Sequence, residues 1–132
     1  MGKTFTLEEA NRALVFVAPV LKEIQTIWNA LMGFQASEDG TAEAVIRSKV
    51  DRLKTCNAEL AQVGCLMRDP VEGILDFPSF YKNQPVFLCW KLGEEQIEFW
   101  HSVSENIQAR RPVTEDFLSW NSKVPAQDLN VA

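Results

Sequence analysis

The chain has 132 residues, 46% hydrophobic and 23% charged, and this balance excludes a disordered or low-complexity protein. Its 13 basic and 18 acidic residues give a net charge of −5, so we expect no nucleic-acid partner and no membrane partner. Charges interrupt every apolar stretch, and the N-terminus lacks the apolar core of a signal peptide. Cys56, Cys65 and Cys89 form no CxxC pair, as is typical of reduced thiols. A cytoplasmic protein is therefore expected.

The first predicted element is a long helix over 6–33. Apolar residues recur along it in steps of three and four, which keeps them on one helix face. Thr6 and Glu9 have the spacing of a capping box, in which each side chain accepts a hydrogen bond from the other residue's backbone N–H. Pro19 lies inside the pattern, and because the periodicity continues in phase we expect a bend there.

A second helix is predicted over 41–63, with Thr41 as its cap and Gly64 ending it. Its apolar residues form a seam with steps of four and three, so the two helices should pack as an antiparallel hairpin. Asn57 lies on this seam, either as a polar residue that fixes the register or, as we favour, at the edge of the apolar stripe.

Some apolar side chains of both helices lie outside the seam and predict self-association. Exposure of this apolar area to water on an isolated hairpin is unfavourable, and a second copy of the chain would cover it. The expected assembly is a homo-oligomer, with a dimer favoured. The residues concerned are Phe16, Ile27, Phe34 and Val45.

From Cys65 onward the pattern alternates, and turn residues punctuate it, which predicts a small sheet over 73–103. Three antiparallel strands are expected, at 73–80, 85–91 and 96–102. One face of this sheet should pack on the helical hairpin through Phe77, Phe87, Trp90 and Phe99. The fold class is therefore α+β, with a single domain over 1–112 and a short helix and loose tail over 113–132.

The only histidine, His101, is the first candidate for chemistry. On a strand it shares an apolar face with Ile97 and Phe99, and its ring nitrogens then need partners, for which Asp76 and Glu94 are candidates. If the segment were helical, carboxylates would line one face with His101 as in an iron or zinc site, namely Glu94, Glu98 and Glu105. The strand is favoured, because Gly93 marks a turn and the chain has no second Glu-x-x-His, and a structural, hydrogen-bonded His101 is favoured over a ligand or base.

Cys89 has two interpretations: a thiolate ligand beside His101, or a small buried apolar residue. We favour the second, because one cysteine and one histidine leave a zinc site short of ligands unless Asp76, Glu94 or a second subunit completes it. The metal-ligand candidates are Cys89, Glu94 and His101, with zinc or iron as the ion.

Trp90 and Trp100 have the chemistry of an aromatic platform for a planar ligand, although tryptophan in a small sheet is more often core. Arg110 and Arg111 have the chemistry of a phosphate or carboxylate clamp, although solvated charges are the more common case. The candidate site for an unknown small-molecule ligand consists of Asp76, Trp90, Glu94, Trp100 and His101.

Three segments resemble a known family: FTLEEAN at 5–11, GILDFP at 73–78 and CWxxGExxIxxWH at 89–101. They resemble the uncharacterised bacterial family labelled domain of unknown function 2203, over about residues 3 to 112, while 113–132 departs from the family's usual ending. The resemblance implies no activity. We therefore expect a binding or interaction module of unknown partner, or alternatively a small metal-binding protein, with or without enzymatic activity.

Overall fold

The computed structural model describes residues 3–34 and 40–122, which form three α-helices and one five-stranded antiparallel sheet. The strands follow one another in sequence order across the sheet. In chain order the elements are α1 (Leu7–Met32), α2 (Thr41–Val63), β1 (Leu66–Asp69), β2 (Ile74–Tyr81), β3 (Gln84–Lys91), β4 (Phe99–Ser102), a 3-10 turn (Ile107–Ala109), β5 (Arg111–Pro112) and α3 (Glu115–Asn121).

Helix α1 begins with the capping box that the sequence predicts. The Thr6 hydroxyl accepts from the Glu9 N–H at 3.2 Å, and the Glu9 carboxylate accepts from the Thr6 N–H at 2.9 Å. The helix is continuous through Pro19. Its inward face is the apolar stripe, and its buried members are Ala10, Leu14, Val17, Leu21, Ile24 and Ile27. Burial of Ile27 corrects the expectation that it lies free for self-association, because the stripe extends to that position.

Helices α1 and α2 pack as an antiparallel hairpin, in which Arg52 of α2 pairs with Glu23 of α1. The cap of α2 is Gly40, with φ of +77°, and not Thr41, which is the first helical residue. Gly64 ends α2 in the left-handed conformation, as expected. Asn57 is exposed, so it lies outside the packed seam.

The sheet has five strands where the sequence predicts three. The two additional strands, β1 and β5, lie at its edges. They have four and two residues, too few for an alternating pattern to be visible. Proline follows closely on β1 at Pro70 and lies within β5 at Pro112, as is common at sheet edges.

The two faces of the sheet differ. Leu75, Phe77, Leu88 and Trp90 are in the buried core with α1 and α2, and Trp100 packs against that core. Because side chains alternate along a strand, their neighbours face the other way. The opposite face carries Asp76, Phe87, Cys89, Phe99 and His101.

The expectation that Phe87 and Phe99 face the hairpin is therefore wrong, and only Phe77 and Trp90 do so. Phe87 faces away because it alternates with Leu88 along β3, and the orientation of Phe99 is set before β4. The Ile97 N–H donates to the Asn11 side chain at 2.7 Å, so the strand begins only at Phe99. Ile97 enters the core while Phe99 and His101 face away from it.

Helix α3 is part of the folded unit. Phe117 is fully buried against the core. Asn121 accepts from the Leu7 N–H at 2.7 Å and donates to the Ser79 hydroxyl and the Phe80 carbonyl at 2.8 and 3.0 Å. Its side chain therefore ties α3 to the first turn of α1 and to β2. The loose tail expected from the sequence lies outside the described residues from position 123 onward.

Among the described helices, α1 alone is long and apolar enough to cross a membrane by length and composition. One side of α1 forms the core, and core helices of globular proteins meet the same criterion. The finding therefore carries no conclusion about location.

Candidate functional site

Three chemically different side chains converge on the sheet face opposite the helices. The turn between β2 and β3 has two central residues, Lys82 and Asn83, both with positive φ. Such a tight turn fixes the register, which pairs Asp76 with Cys89. His101 pairs with Phe87, two residues from Cys89 and therefore on the same face.

The three ligand-type atoms of this cluster, a carboxylate oxygen of Asp76, Cys89 Sγ and a ring nitrogen of His101, lie within 4.8 Å of one another. All three side chains are buried: Asp76 and Cys89 are fully so, and His101 is 2% exposed. We call Asp76, Cys89 and His101 the three-strand cluster.

Both ring nitrogens of His101 face acceptor oxygens. Nδ1 lies 2.9 Å from the Ser102 carbonyl oxygen, and Nε2 lies 2.9 Å from Asp76 Oδ2. A carbonyl can only accept, so Nδ1 carries a proton. A neutral imidazole then has a lone pair at Nε2, and its close contact with the carboxylate requires a proton or a cation there.

The two oxygens of the Asp76 carboxylate differ in their hydrogen-bond partners. Oδ2 accepts from Arg68 Nε at 2.8 Å and contacts His101. Oδ1 is buried and has no hydrogen-bond partner among the described residues. A buried, unpartnered carboxylate oxygen is costly, so this atom marks a position where a proton donor or an ion is expected.

Burial raises the pKa of the Cys89 thiol to about 12, and the neighbouring Asp76 carboxylate acts in the same direction. The Arg110 guanidinium opposes this, with Nη1 at 4.0 Å from Sγ. Without a metal ion, Cys89 is therefore a protonated, unreactive thiol at neutral pH.

Glu94 is not part of the three-strand cluster. Its carboxylate accepts from both terminal nitrogens of Arg110, at 2.9 and 3.3 Å, and from the Lys91 N–H at 2.8 Å. Arg110 thus stands between Glu94 and Cys89. The guanidinium also lies 4.2 Å from the centre of the Phe99 ring. The carboxylate that Arg110 binds is therefore that of Glu94 in this protein.

The helical interpretation of 94–105 is wrong, because this segment contains a turn and strand β4. Its carboxylates do not line one face with His101. Glu105 accepts from Arg111 Nη2 at 2.7 and 2.9 Å, and Glu98 is exposed.

The two tryptophans lie away from the cluster. Trp90 is 4% exposed in the core and donates its Nε1 proton to the Glu94 carbonyl at 2.9 Å. Trp100 packs against Tyr81 and Phe117, with ring centres 5.1 and 5.3 Å apart. Trp90 lies in the core and Trp100 packs against it, so neither walls a site with His101.

A cavity of about 350 Å³ opens onto the three-strand cluster. Asp76 and His101 line it together with Arg68, Asp69, Val103, Glu105, Asn106 and Ile107. A larger cavity of about 600 Å³ lies between the start of α1 and the end of α3. Among the described residues that line the larger cavity, Glu8 is the one carboxylate and there is neither a histidine nor a cysteine, so the smaller cavity is the candidate site.

Arg68 is the residue of this site that sequence reasoning missed. Its guanidinium pairs with Asp76 and lies 4.7 Å from the centre of the Phe87 ring. The available signal was its position eight residues before Asp76, with the turn residues Pro70 and Gly73 between them. That spacing suits a hairpin, but no strand is predicted there.

A family model described as "Uncharacterized conserved protein (DUF2203)" matches residues 3–113, which is most of the chain. Neither a curated protein nor a solved structure matches the chain. The chain therefore belongs to the DUF2203 family, and the family match includes all three residues of the three-strand cluster.

Proposed function

We propose that this DUF2203 protein binds a divalent transition-metal ion, zinc or iron(II), at the three-strand cluster. One observation supports this more than any other: a carboxylate, a thiol and an imidazole are buried together, with their ligand atoms within 4.8 Å. A mixed oxygen, sulfur and nitrogen set suits zinc and iron(II) better than magnesium or calcium.

The orientation of His101 favours a metal ion. Histidines that bind metals almost always donate their second ring N–H to a carbonyl or a carboxylate, which holds the lone pair toward the ion. Here Nδ1 donates to the Ser102 carbonyl, and Nε2 is directed toward Asp76. The ring is thus held as a ligand by the backbone of its own strand.

The charges of the cluster also suit a divalent ion. With Arg68 on Oδ2, Asp76 keeps Oδ1 available as a ligand. A bound ion displaces the thiol proton of Cys89, and the thiolate together with the Asp76 carboxylate then balances the two positive charges. Arg110 near Sγ stabilises the thiolate.

A competing account places a proton on Nε2, which makes His101 and Asp76 a buried ion pair. That account satisfies the Nε2 contact and leaves the protonated Cys89 thiol as a weak donor beside Asp76, but it uses neither Sγ nor Oδ1 as a ligand. Metal binding accounts for all three side chains.

The test is a zinc titration of metal-free protein against a competing chromophoric chelator. We expect one zinc ion per chain. Cys89→Ala should weaken zinc binding by more than about 100-fold, since even residues that only support a ligand contribute about 10–100-fold. Cys65→Ala is the matched control, because Cys65 is also buried but lies outside the cluster.

Circular dichroism and melting temperature will show that each variant is folded. Absence of zinc binding by the wild type, or equal affinities in Cys89→Ala and Cys65→Ala, would overturn the proposal.

A further inference from the structure

Arg68 presents unused hydrogen-bond donors to the cavity beside the three-strand cluster. Its Nε donates to Asp76, and the guanidinium lies over the Phe87 ring, which holds its plane. Neither terminal nitrogen donates to a residue within 3–34 or 40–122. An arginine fork held in this way matches the two oxygens of a carboxylate or phosphate.

The acidic side chains of the cavity are already hydrogen-bonded. Asp69 accepts from the N–H groups of Val71 and Glu72 at 2.9 and 3.0 Å. Glu105 accepts from Arg111 and from the Ser102 N–H. Neither carboxylate pairs with Arg68, so the donors of Arg68 remain available to a ligand.

The cluster supplies three ligands, whereas zinc usually takes four, and catalytic zinc sites leave the fourth position to water or substrate. Asp76 and His101 line the cavity that Arg68 also lines. The fourth position and the arginine fork therefore open into the same space.

We infer that this cavity binds a small monocarboxylate, with one oxygen on the metal ion and the other on the terminal nitrogens of Arg68. This inference rests on the proposed metal site. The nearby carboxylates of Asp69 and Glu105 favour a singly charged ligand over a phosphate dianion, because like charges repel. Val103 and Ile107 offer apolar contact for a short carbon chain. A volume of about 350 Å³ lies at the lower end of ligand pockets, which limits the ligand to a small one.

The experiment uses the full chain loaded with cobalt(II), whose thiolate charge-transfer band reports the Cys89 bond and whose visible bands report the other ligands. Butyrate is the probe. We expect a saturable change in the visible bands of the wild type, and weaker binding of inorganic phosphate at the same pH. Arg68→Lys keeps a positive charge near Asp76 but lacks the fork, so at full cobalt saturation it should bind butyrate at least about tenfold more weakly.

Arg12→Lys is the matched control, because Arg12 is exposed on α1, outside the cavity beside the cluster. It should bind butyrate as the wild type does. Absence of the charge-transfer band would overturn the proposed metal site itself. A normal band with no saturable response to butyrate, equal affinity in Arg68→Lys and wild type, or tighter binding of phosphate than of butyrate would overturn the carboxylate inference alone.

Discussion

At the scale of single residues, Tyr81 offers an isolated test of the side-chain contacts. It is the one tyrosine of the chain, and its hydroxyl donates to the Asp116 carboxylate of α3. This hydrogen bond raises the pKa of Tyr81, and burial and the charge of Asp116 add to it. Because the pKa is raised in the folded state, the contact stabilises the protein below the unfolded pKa of about 10 and is lost as the pH rises through the folded value.

We expect the ultraviolet titration of the phenol to have its midpoint above the ordinary tyrosine value and to move toward that value in Asp116→Ala. Asp51→Ala is the control, because Asp51 is an exposed residue of α2. Identical midpoints in the wild type and Asp116→Ala would show that the contact does not form in solution.

Much of the site could be predicted from residues alone, because a lone histidine near a carboxylate on a neighbouring strand needs a partner. The sequence therefore predicts Asp76 as a partner of His101. The role of Glu94 could not be foreseen. Glu94 forms an ion pair with Arg110, and Arg110 comes from a segment with no periodic pattern. The alternating pattern predicts the correct strand for Cys89, and a two-residue turn at Lys82 and Asn83 puts Cys89 opposite Asp76. What the sequence left open was the register.

At the scale of elements, substitutions at two turn glycines distinguish the cost of a strained backbone from the cost of a steric clash. Gly73 and Gly93 both have positive φ, at +73° and +106°. A Cβ on Gly73 would lie 2.9 Å from Leu92 Cβ, whereas a Cβ on Gly93 would meet nothing within 4 Å. The positive φ at Gly93 agrees with the turn that the sequence predicts there.

We expect Gly93→Ala to lower the free energy of unfolding by about 1 kcal/mol, the strain of a left-handed non-glycine residue. Gly73→Ala should cost about 2–4 kcal/mol, because overpacking adds about 1–3 kcal/mol to that strain. Urea denaturation measures both. Equal losses in the two variants would contradict the close approach of Leu92 to Gly73.

Helix α3 is the element whose importance the sequence understates. Its cap at Thr114 and its short length could be read from the residues, but not the three hydrogen bonds by which Asn121 joins α1 and β2. Such long-range polar contacts leave no periodic signal. The strands β1 and β5 also leave no periodic signal, because they have only four and two residues.

Asn121→Ala should lower the free energy of unfolding by about 2–3 kcal/mol, because it leaves the Leu7 N–H and the Phe80 carbonyl without partners. Asn57→Ala, at an exposed position of α2, should change it by no more than about 0.5 kcal/mol. Chemical denaturation of both variants gives the comparison. A loss for Asn121→Ala as small as that for Asn57→Ala would mean that α3 does not dock on α1.

At the scale of the whole molecule, the helical hairpin leaves apolar area exposed. Phe16 is 74% exposed and its neighbour Val15 is 73% exposed. Val45 is 37% exposed and Phe34 is half-buried. The prediction of a homodimer through the helices therefore rests on Phe16, Phe34 and Val45, without Ile27.

We expect sedimentation velocity to show concentration-dependent dimers in the wild type and monomers in Phe16→Glu, because a charge at that position makes burial of the face costly. Thr26→Glu, an exposed change on the same helix, is the control. A wild-type monomer at high micromolar concentration would contradict the prediction.

The central claim is a metal ion held jointly by a carboxylate, a thiolate and an imidazole on three adjacent strands. X-ray absorption at the zinc edge of the zinc-loaded protein tests it most directly. We expect one sulfur scatterer at about 2.3 Å and the remaining nitrogen and oxygen scatterers at about 2.0–2.2 Å, with the sulfur lost in Cys89→Ala. A zinc environment of nitrogen and oxygen alone in the wild type, or a protein that retains no zinc, would contradict the account.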